Sequence, residues 1–145
     1  MIGRLVRTVR AVADVLRAAA AVTRARRAVV RTPLGSLLQA DAPTLQAEGL
    51  PALAASELWI GRRWGLAVDR AIRWVPGDSG CLVRARALRD LLSHRGLPRS
   101  TVRIGVRRGA SGFEAHAWVE QDGTPIAEPD KLRGAFAALD GVTVR

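Results

Sequence analysis

Cysteine is almost missing from this 145-residue sequence, which holds only Cys81, and tyrosine is missing altogether. A single cysteine excludes an internal disulfide, so a reducing compartment is the default and we expect a cytoplasmic protein. The chain also lacks an apolar run of the roughly 18 residues that a membrane span requires, because arginines interrupt every such run. The N-terminus likewise lacks the uninterrupted apolar core of a signal peptide.

Positive charge is what the sequence has in excess. It contains 23 basic and 13 acidic residues, for a net charge of +10, and every basic residue except Lys131 is arginine. Residues 1–40 carry eight arginines and a single acid, Asp14. A basic segment of this kind predicts an acidic partner, such as nucleic acid, an anionic membrane or an acidic peptide. No recognition-helix pattern, RNA-binding aromatic motif or zinc-ligand spacing is present, so nucleic acid is not the partner we expect.

Apolar side chains recur at helical spacing in three segments, residues 3–31, 52–74 and 81–95. Pro33 ends the first, a turn at residues 76–80 follows the second, and Gly96 stops the third. Within the second helix, Gly61 and Gly65 predict that a neighbouring element packs closely. The side chains predicted to be buried are Leu5, Val9, Val12, Leu16, Ala19 and Val22 in the first helix, and Leu53, Leu58, Ile60, Trp64, Val68 and Ile72 in the second. We assign Trp59, Trp64 and Trp74 to helix packing.

The apolar period changes from 3.6 to 2 after the third helix. Residues 101–107 and 113–121 alternate as half-buried strands, and Asp122-Gly123 predicts a hairpin leading to a strand at 124–128. A short helix through Ala138 and a last strand at 142–144 complete the pattern. The fold class is therefore α+β, with helices packed on a small antiparallel sheet. We expect one domain, residues 1–145, in which 1–50 form a helical extension and 51–145 the core.

Cys81 is predicted to begin the third helix, with Asp78 or Ser79 as the helix cap. A helix N-terminus carries partial positive charge and free backbone amides, which stabilise a thiolate. The same amides can donate to the oxyanion of a tetrahedral intermediate. Cys81 is thus a candidate nucleophile.

A cysteine nucleophile needs a base, and a third group that orients the base. His94 lies near the far end of the Cys81 helix, about 20 Å away at 1.5 Å per residue, so it cannot reach the thiol. His116 lies in the middle of a strand and can serve. Hairpin register favours Glu128 as its orienting acid, with Asp130 as the second choice.

Around these residues the sequence resembles the lasso peptide leader peptidases, which are transglutaminase-like proteins. The resemblance rests on GCLVRA at residues 80–85, VRIGV at 102–106 and AHAWVE at 115–120, and it spans about residues 74–128. It implies a papain-like α+β core in residues 51–145 and a Cys–His–acid triad. Cys81 would be the nucleophile, His116 the base and Glu128 the orienting acid. We expect Gly80 and Trp118 to line the substrate cleft.

The resemblance also implies partners. The substrate would be a precursor peptide with a leader, and the freed core would pass to an ATP-dependent lasso cyclase. Because the N-terminal part is helical and not of winged-helix type, the chain resembles the split form, which works with a separate small leader-recognition protein. Arg24, Arg26 and Arg27 are candidates for docking it. No cofactor, metal or membrane span is implied. The alternatives are a transglutaminase-like acyl transferase with another substrate and a basic nucleic-acid-binding module.

Overall fold

The computed structural model describes residues 2–31, 53–129, 132 and 135–138. Three helices come first: α1 (Ile2–Arg31), α2 (Ala55–Trp74) and α3 (Cys81–Ser93). Four strands follow: β1 (Ser100–Gly109), β2 (Gly112–Gln121), β3 (Thr124–Ile126) and β4 (Ala137–Ala138). They form an antiparallel sheet in the order β3-β2-β1-β4. The α+β prediction is confirmed.

The helices and the sheet share one apolar core. Helix α1 packs against α2 and α3, and α3 packs on β1 and β2. Buried residues of all three helices belong to the same cluster as those of β2 and β3. The predicted boundary between an N-terminal extension and the core, at residue 50, lies outside the described residues. Within the described residues, no helix is long and apolar enough to cross a membrane.

Helix α1 buries a different face from the one that its apolar pattern predicted. Val9, Val12 and Leu16 are 61%, 55% and 66% exposed, so the prediction is wrong for them. It is right for Val22, and Ala19 is partly buried, while the side chain of Leu5 lies outside the described residues. The buried face is mainly alanine, with Ala18, Ala21 and Ala25 beside Val22 and Asp14.

Close packing explains this rotation of α1. Small side chains allow its backbone to approach both α2 and α3, which larger valines and leucines would hold apart. Burial of Asp14 is compensated by Arg63 of α2, whose Nε and Nη2 donate to the carboxylate at 2.7 and 2.9 Å. A paired carboxylate at a buried position therefore fixes which face of α1 points inward.

Helix α2 meets the sheet through its glycines, as predicted. A Cβ at Gly61 would overlap the side chain of Ile126, and one at Gly65 would overlap that of Ala127. Trp64 and Val68 are buried, and Leu53, Ile60 and Ile72 pack partly buried against the core. The prediction is wrong for Leu58, which is 45% exposed and lines an open groove beside β3. Trp59 and Trp74, assigned to helix packing, are 60% and 82% exposed.

The hairpin between β2 and β3 forms at the predicted turn. Asp122 and Gly123 both have positive φ, 50° and 76°, as a two-residue type I′ turn requires. Strand β3 stops at Ile126, earlier than predicted, because Ala127 adopts the left-handed conformation with φ 54°. This turn in the backbone redirects Glu128 out of the sheet register.

The C-terminal segment is described only in part. The predicted helix through Ala138 is wrong at its end, since Ala137 and Ala138 form β4 and pair with Val106 and Gly105. Backbone hydrogen bonding to β1 satisfies the polar groups of this segment in place of helical bonds. The predicted strand at 142–144 and Asp130 lie outside the described residues.

Candidate active site

Cys81 is the first residue of α3 and is partly buried against the core. The helix cap is Gly80, so the predictions of Asp78 and Ser79 as caps are wrong; the Ser79 hydroxyl instead accepts a hydrogen bond from Arg26. Gly80 provides no side-chain acceptor for the amides of the first turn. Among the described residues no atom lies within 4 Å of where its Cβ would be. The start of α3 therefore borders open space.

His116 and Glu128 are in direct contact. His116 lies in β2 opposite Gly105 of β1, and its Nε2 is 3.1 Å from Glu128 Oε2. The Glu128 side chain is only 4% exposed, against 19% for His116. A buried carboxylate at this distance favours one orientation of the ring and stabilises an imidazolium when it forms. The turn at Ala127 makes the contact possible, because it directs Glu128 inward.

Arg84 was missed by the sequence reasoning and is the centre of this network. Its Nη1 donates to Glu128 Oε1 at 2.9 Å, and its Nε donates to Asp69 Oδ1 of α2 at 2.7 Å. Its Nη2 also donates to the carbonyl of Ala127 at 3.0 Å. Burial lowers the pKa of Arg84, but the hydrogen bond and charge of Asp69, followed by those of Glu128, raise it above its ordinary value. Arg84 is therefore a permanent cation that holds Glu128.

The position of Arg84 links the two halves of the candidate site. It follows Cys81 by three residues, about 4.5 Å along the same helix, so both side chains lie on neighbouring parts of one helix face. Its contacts run through Glu128 to His116. The three-residue spacing between Cys81 and Arg84 is visible in the sequence. The two acids that bind Arg84, Asp69 and Glu128, lie in other elements of the chain, so the local sequence could not assign them.

Aromatic rings flank His116. The Trp118 ring stacks with it at 6.1 Å between centroids and 17° between planes, and Phe136 lies at 5.2 Å. Trp118 is 9% exposed, and its Nε1 donates to Glu120 Oε1 at 2.8 Å. A Cβ at Gly105 would lie 2.8 Å from the Trp118 ring, so glycine leaves room for the indole. Trp118 is thus a fixed wall beside the imidazole, and Phe136 is a neighbour that no sequence signal indicated.

His94 is the C-cap of α3, at the opposite end from Cys81, and is exposed. Its Nδ1 lies 2.8 Å from the carbonyl of Asp90. Its place at the far end agrees with its exclusion as a base for Cys81.

A groove of about 740 Å³ runs between α2 and the segment after β3. Its lining includes Asp69 and Glu128, and among the described residues it includes neither Cys81 nor His116. The exposed Trp59 and Leu66 form part of its wall. This groove therefore reaches the acid end of the network, and the candidate reacting pair lies outside it.

The chemistry open to this arrangement is acyl transfer through a thiol. Such a reaction uses a cysteine at a helix N-terminus, an imidazole oriented by a carboxylate and first-turn amides, which the cap residue Gly80 does not bind through a side chain. A family model described as the transglutaminase-like superfamily matches residues 3–140, which include all three helices and the sheet. No curated protein and no solved structure gave a match.

Proposed function

This chain belongs to the transglutaminase-like superfamily, and on that premise we propose that it is a cysteine peptidase that removes the leader from a lasso precursor peptide. Membership supports thiol-dependent hydrolysis or acyl transfer as the type of chemistry. The choice of substrate is supported by the resemblance of residues 74–128 to the lasso peptide leader peptidases.

The contact between His116 Nε2 and Glu128 Oε2, at 3.1 Å, is the observation that carries the proposal. If the carboxylate accepts from Nε2, Nδ1 is the ring nitrogen left to take a proton from a thiol, and we propose that Cys81 supplies that thiol. Because Arg84 holds the other carboxylate oxygen, Glu128 remains in place when the ring gains or loses a proton. A purely structural histidine in a strand does not require a buried acid fixed in this way.

The proposed reaction has two steps. Cys81 gives its thiol proton to His116 and the resulting thiolate attacks the carbonyl carbon of the last leader residue. A C–S bond forms, and the C–N bond to the core peptide breaks. His116 gives its proton to the departing amine of the core. His116 then takes a proton from water, whose oxygen attacks the thioester; the products are the leader carboxylate and the regenerated thiol. First-turn amides of α3 donate to the oxyanion in both steps.

Charge supports a peptide substrate and a protein partner. The chain carries +10, and the exposed arginines of α1 and α2 fit acidic segments of a leader or of a separate leader-recognition protein. The freed core would be the substrate of a separate ATP-dependent cyclase. Gly80 and Trp118 are proposed to border the peptide near the scissile bond.

The test is to incubate the protein with a precursor peptide and a leader-recognition protein and to follow free leader by mass spectrometry. Cys81→Ala and His116→Ala are expected to lower the rate by at least about 10⁴-fold, as removal of a nucleophile or its base does. His94→Ala is the matched control, because it removes the chain's other histidine at the far end of α3.

Added hydroxylamine separates hydrolysis from transfer to an amine. A peptidase releases mainly leader with a free carboxylate, whereas a transferase yields mainly the leader hydroxamate, which differs in mass. Release of leader by Cys81→Ala at the native rate would refute the proposal. Leader hydroxamate as the predominant product would favour the acyl-transferase alternative.

A further inference from the structure

Arg26 of α1 contacts the loop that leads into Cys81. This loop joins the end of α2, Trp74, to the start of α3. Arg26 Nε donates to the carbonyl of Asp78 at 2.8 Å, and Nη2 donates to the carbonyl of Gly77 at 2.9 Å. Nη1 donates to the carbonyl of Pro76, and Nη2 also donates to the Ser79 hydroxyl. One side chain thus binds four successive residues, 76–79, which lie 50 to 53 positions away in sequence.

The loop is shaped around this guanidinium. Three successive carbonyl oxygens point towards one cation, which an isolated loop would avoid because like dipoles repel each other. Gly77 has φ 102°, and a Cβ at this position would lie 3.0 Å from Arg26 Nη1. Glycine is therefore required twice, by the backbone conformation and by the space that the arginine takes. The end of α2 also presents the negative end of its dipole here, which favours a cation.

Core packing holds α3 from Cys81 onward, and the hydrogen bonds from Arg26 fix the loop that leads into it. Its cap, Gly80, contributes no side-chain hydrogen bond, and the residue after it is Cys81. A shift in residues 76–79 would therefore move the thiol and the first-turn amides together. A displacement of about 1 Å at a reacting group can cost about 100-fold in rate.

We infer that Arg26 is a positioning residue, which binds the loop at residues 76–79 and thereby fixes the place of Cys81 at the start of α3. The inference rests on the proposed role of Cys81 as nucleophile. Helix α1 then contributes to the active site, whereas the sequence indicated its arginines only as candidates for docking a partner. Of the three arginines once considered for docking, Arg26 is engaged within the molecule and Arg24 contacts Asp90 at 3.2 Å, whereas Arg27 is exposed.

Alkylation by iodoacetamide tests the inference without any substrate, because Cys81 is the only cysteine and all label reports on it. We expect Arg26→Gln to change the alkylation rate at pH 7 about tenfold or more relative to native protein. Arg27→Gln removes the same charge from the neighbouring exposed position and is expected to leave the rate within about twofold. Arg26→Lys, which keeps the charge and part of the hydrogen bonding, should fall between the two.

Turnover of the precursor peptide provides a second readout. A displaced nucleophile lowers kcat, by about 10- to 100-fold, and leaves KM unchanged, whereas a lost docking contact raises KM. Circular dichroism identifies any variant that fails to fold, and in that case Ser79→Ala, which removes one bond only, replaces Arg26→Gln. Equal alkylation rates for native, Arg26→Gln and Arg27→Gln would overturn the inference. If no peptide is cut but alkylation changes in Arg26→Gln alone, the positioning role stands and the proposed substrate fails.

Discussion

Replacement of Arg84 by methionine should be among the most damaging single substitutions in this protein. The change removes the cation from a Glu128 carboxylate whose side chain is 4% exposed, and it removes the donor to the Ala127 carbonyl. Breaking a buried ion pair from one side costs roughly 3–5 kcal/mol, because the remaining charge is left without a partner. For a chain of this size, each kcal/mol lowers Tm by about 3 °C, so we expect a loss of roughly 10–15 °C.

A double variant separates the buried charge from other effects of the substitution. Arg84→Met with Glu128→Gln removes both charges of the buried pair, and replacement of a whole buried pair is often close to neutral. Asp69 also loses its arginine, but its side chain is 39% exposed to water, so this loss costs at most about 1 kcal/mol. The Ala127 carbonyl would still lack its donor, which costs about 1 kcal/mol. The double variant should therefore be about 1–2 kcal/mol less stable than native protein and more stable than the single variant, although it contains one more substitution.

Urea denaturation followed by tryptophan fluorescence measures these differences, since Trp64 and Trp118 are buried in the folded state. Arg62→Met is the control, because Arg62 is exposed on α2 and its loss should change stability by no more than about 0.5 kcal/mol. A single variant within 1 kcal/mol of native protein, or a double variant no more stable than the single one, would refute this account of the network.

Two further predictions concern stability. Leu16→Gln should change stability by no more than about 0.5 kcal/mol, whereas Ala21→Leu should destabilise by about 1–3 kcal/mol, because the alanine face of α1 is the packed one. A lower urea midpoint for Leu16→Gln than for Ala21→Leu would show that α1 buries the other face. The guanidinium of Arg99 lowers the pKa of Asp122 through a hydrogen bond and its charge. The stability from this pair is therefore present above the unfolded pKa of about 3.9 and is lost as the pH falls through the lower folded value. Asp122→Asn should then be less stable than native protein at pH 7, and the difference in stability should shrink as the pH falls below about 3.9. A difference that stays constant with pH would contradict the prediction.

Hairpin geometry predicted from the sequence which residues lie near His116. The Asp122-Gly123 pair predicts a two-residue turn, and the strand that follows must return beside the His116 strand. That reasoning singled out Glu128, which lies in hydrogen-bond contact with His116. The chain does not continue as a strand to Glu128, because Ala127 adopts a left-handed conformation. Alanine rarely adopts this conformation, and nothing in the local sequence predicts it.

By itself, the sequence determined the three helices, the first three strands and which residue begins the third helix. These features follow from periodicity, turn residues and helix ends, whose causes lie within a few positions of each other. Only the tertiary structure decided which face of α1 is buried and which groups Arg84 and Arg26 bind. Two stripes of α1 were apolar enough to be buried, and packing between α2 and α3 selected the one with smaller side chains. The arginines bind groups tens of residues away, because electrostatic and hydrogen-bond partners are chosen by distance in space.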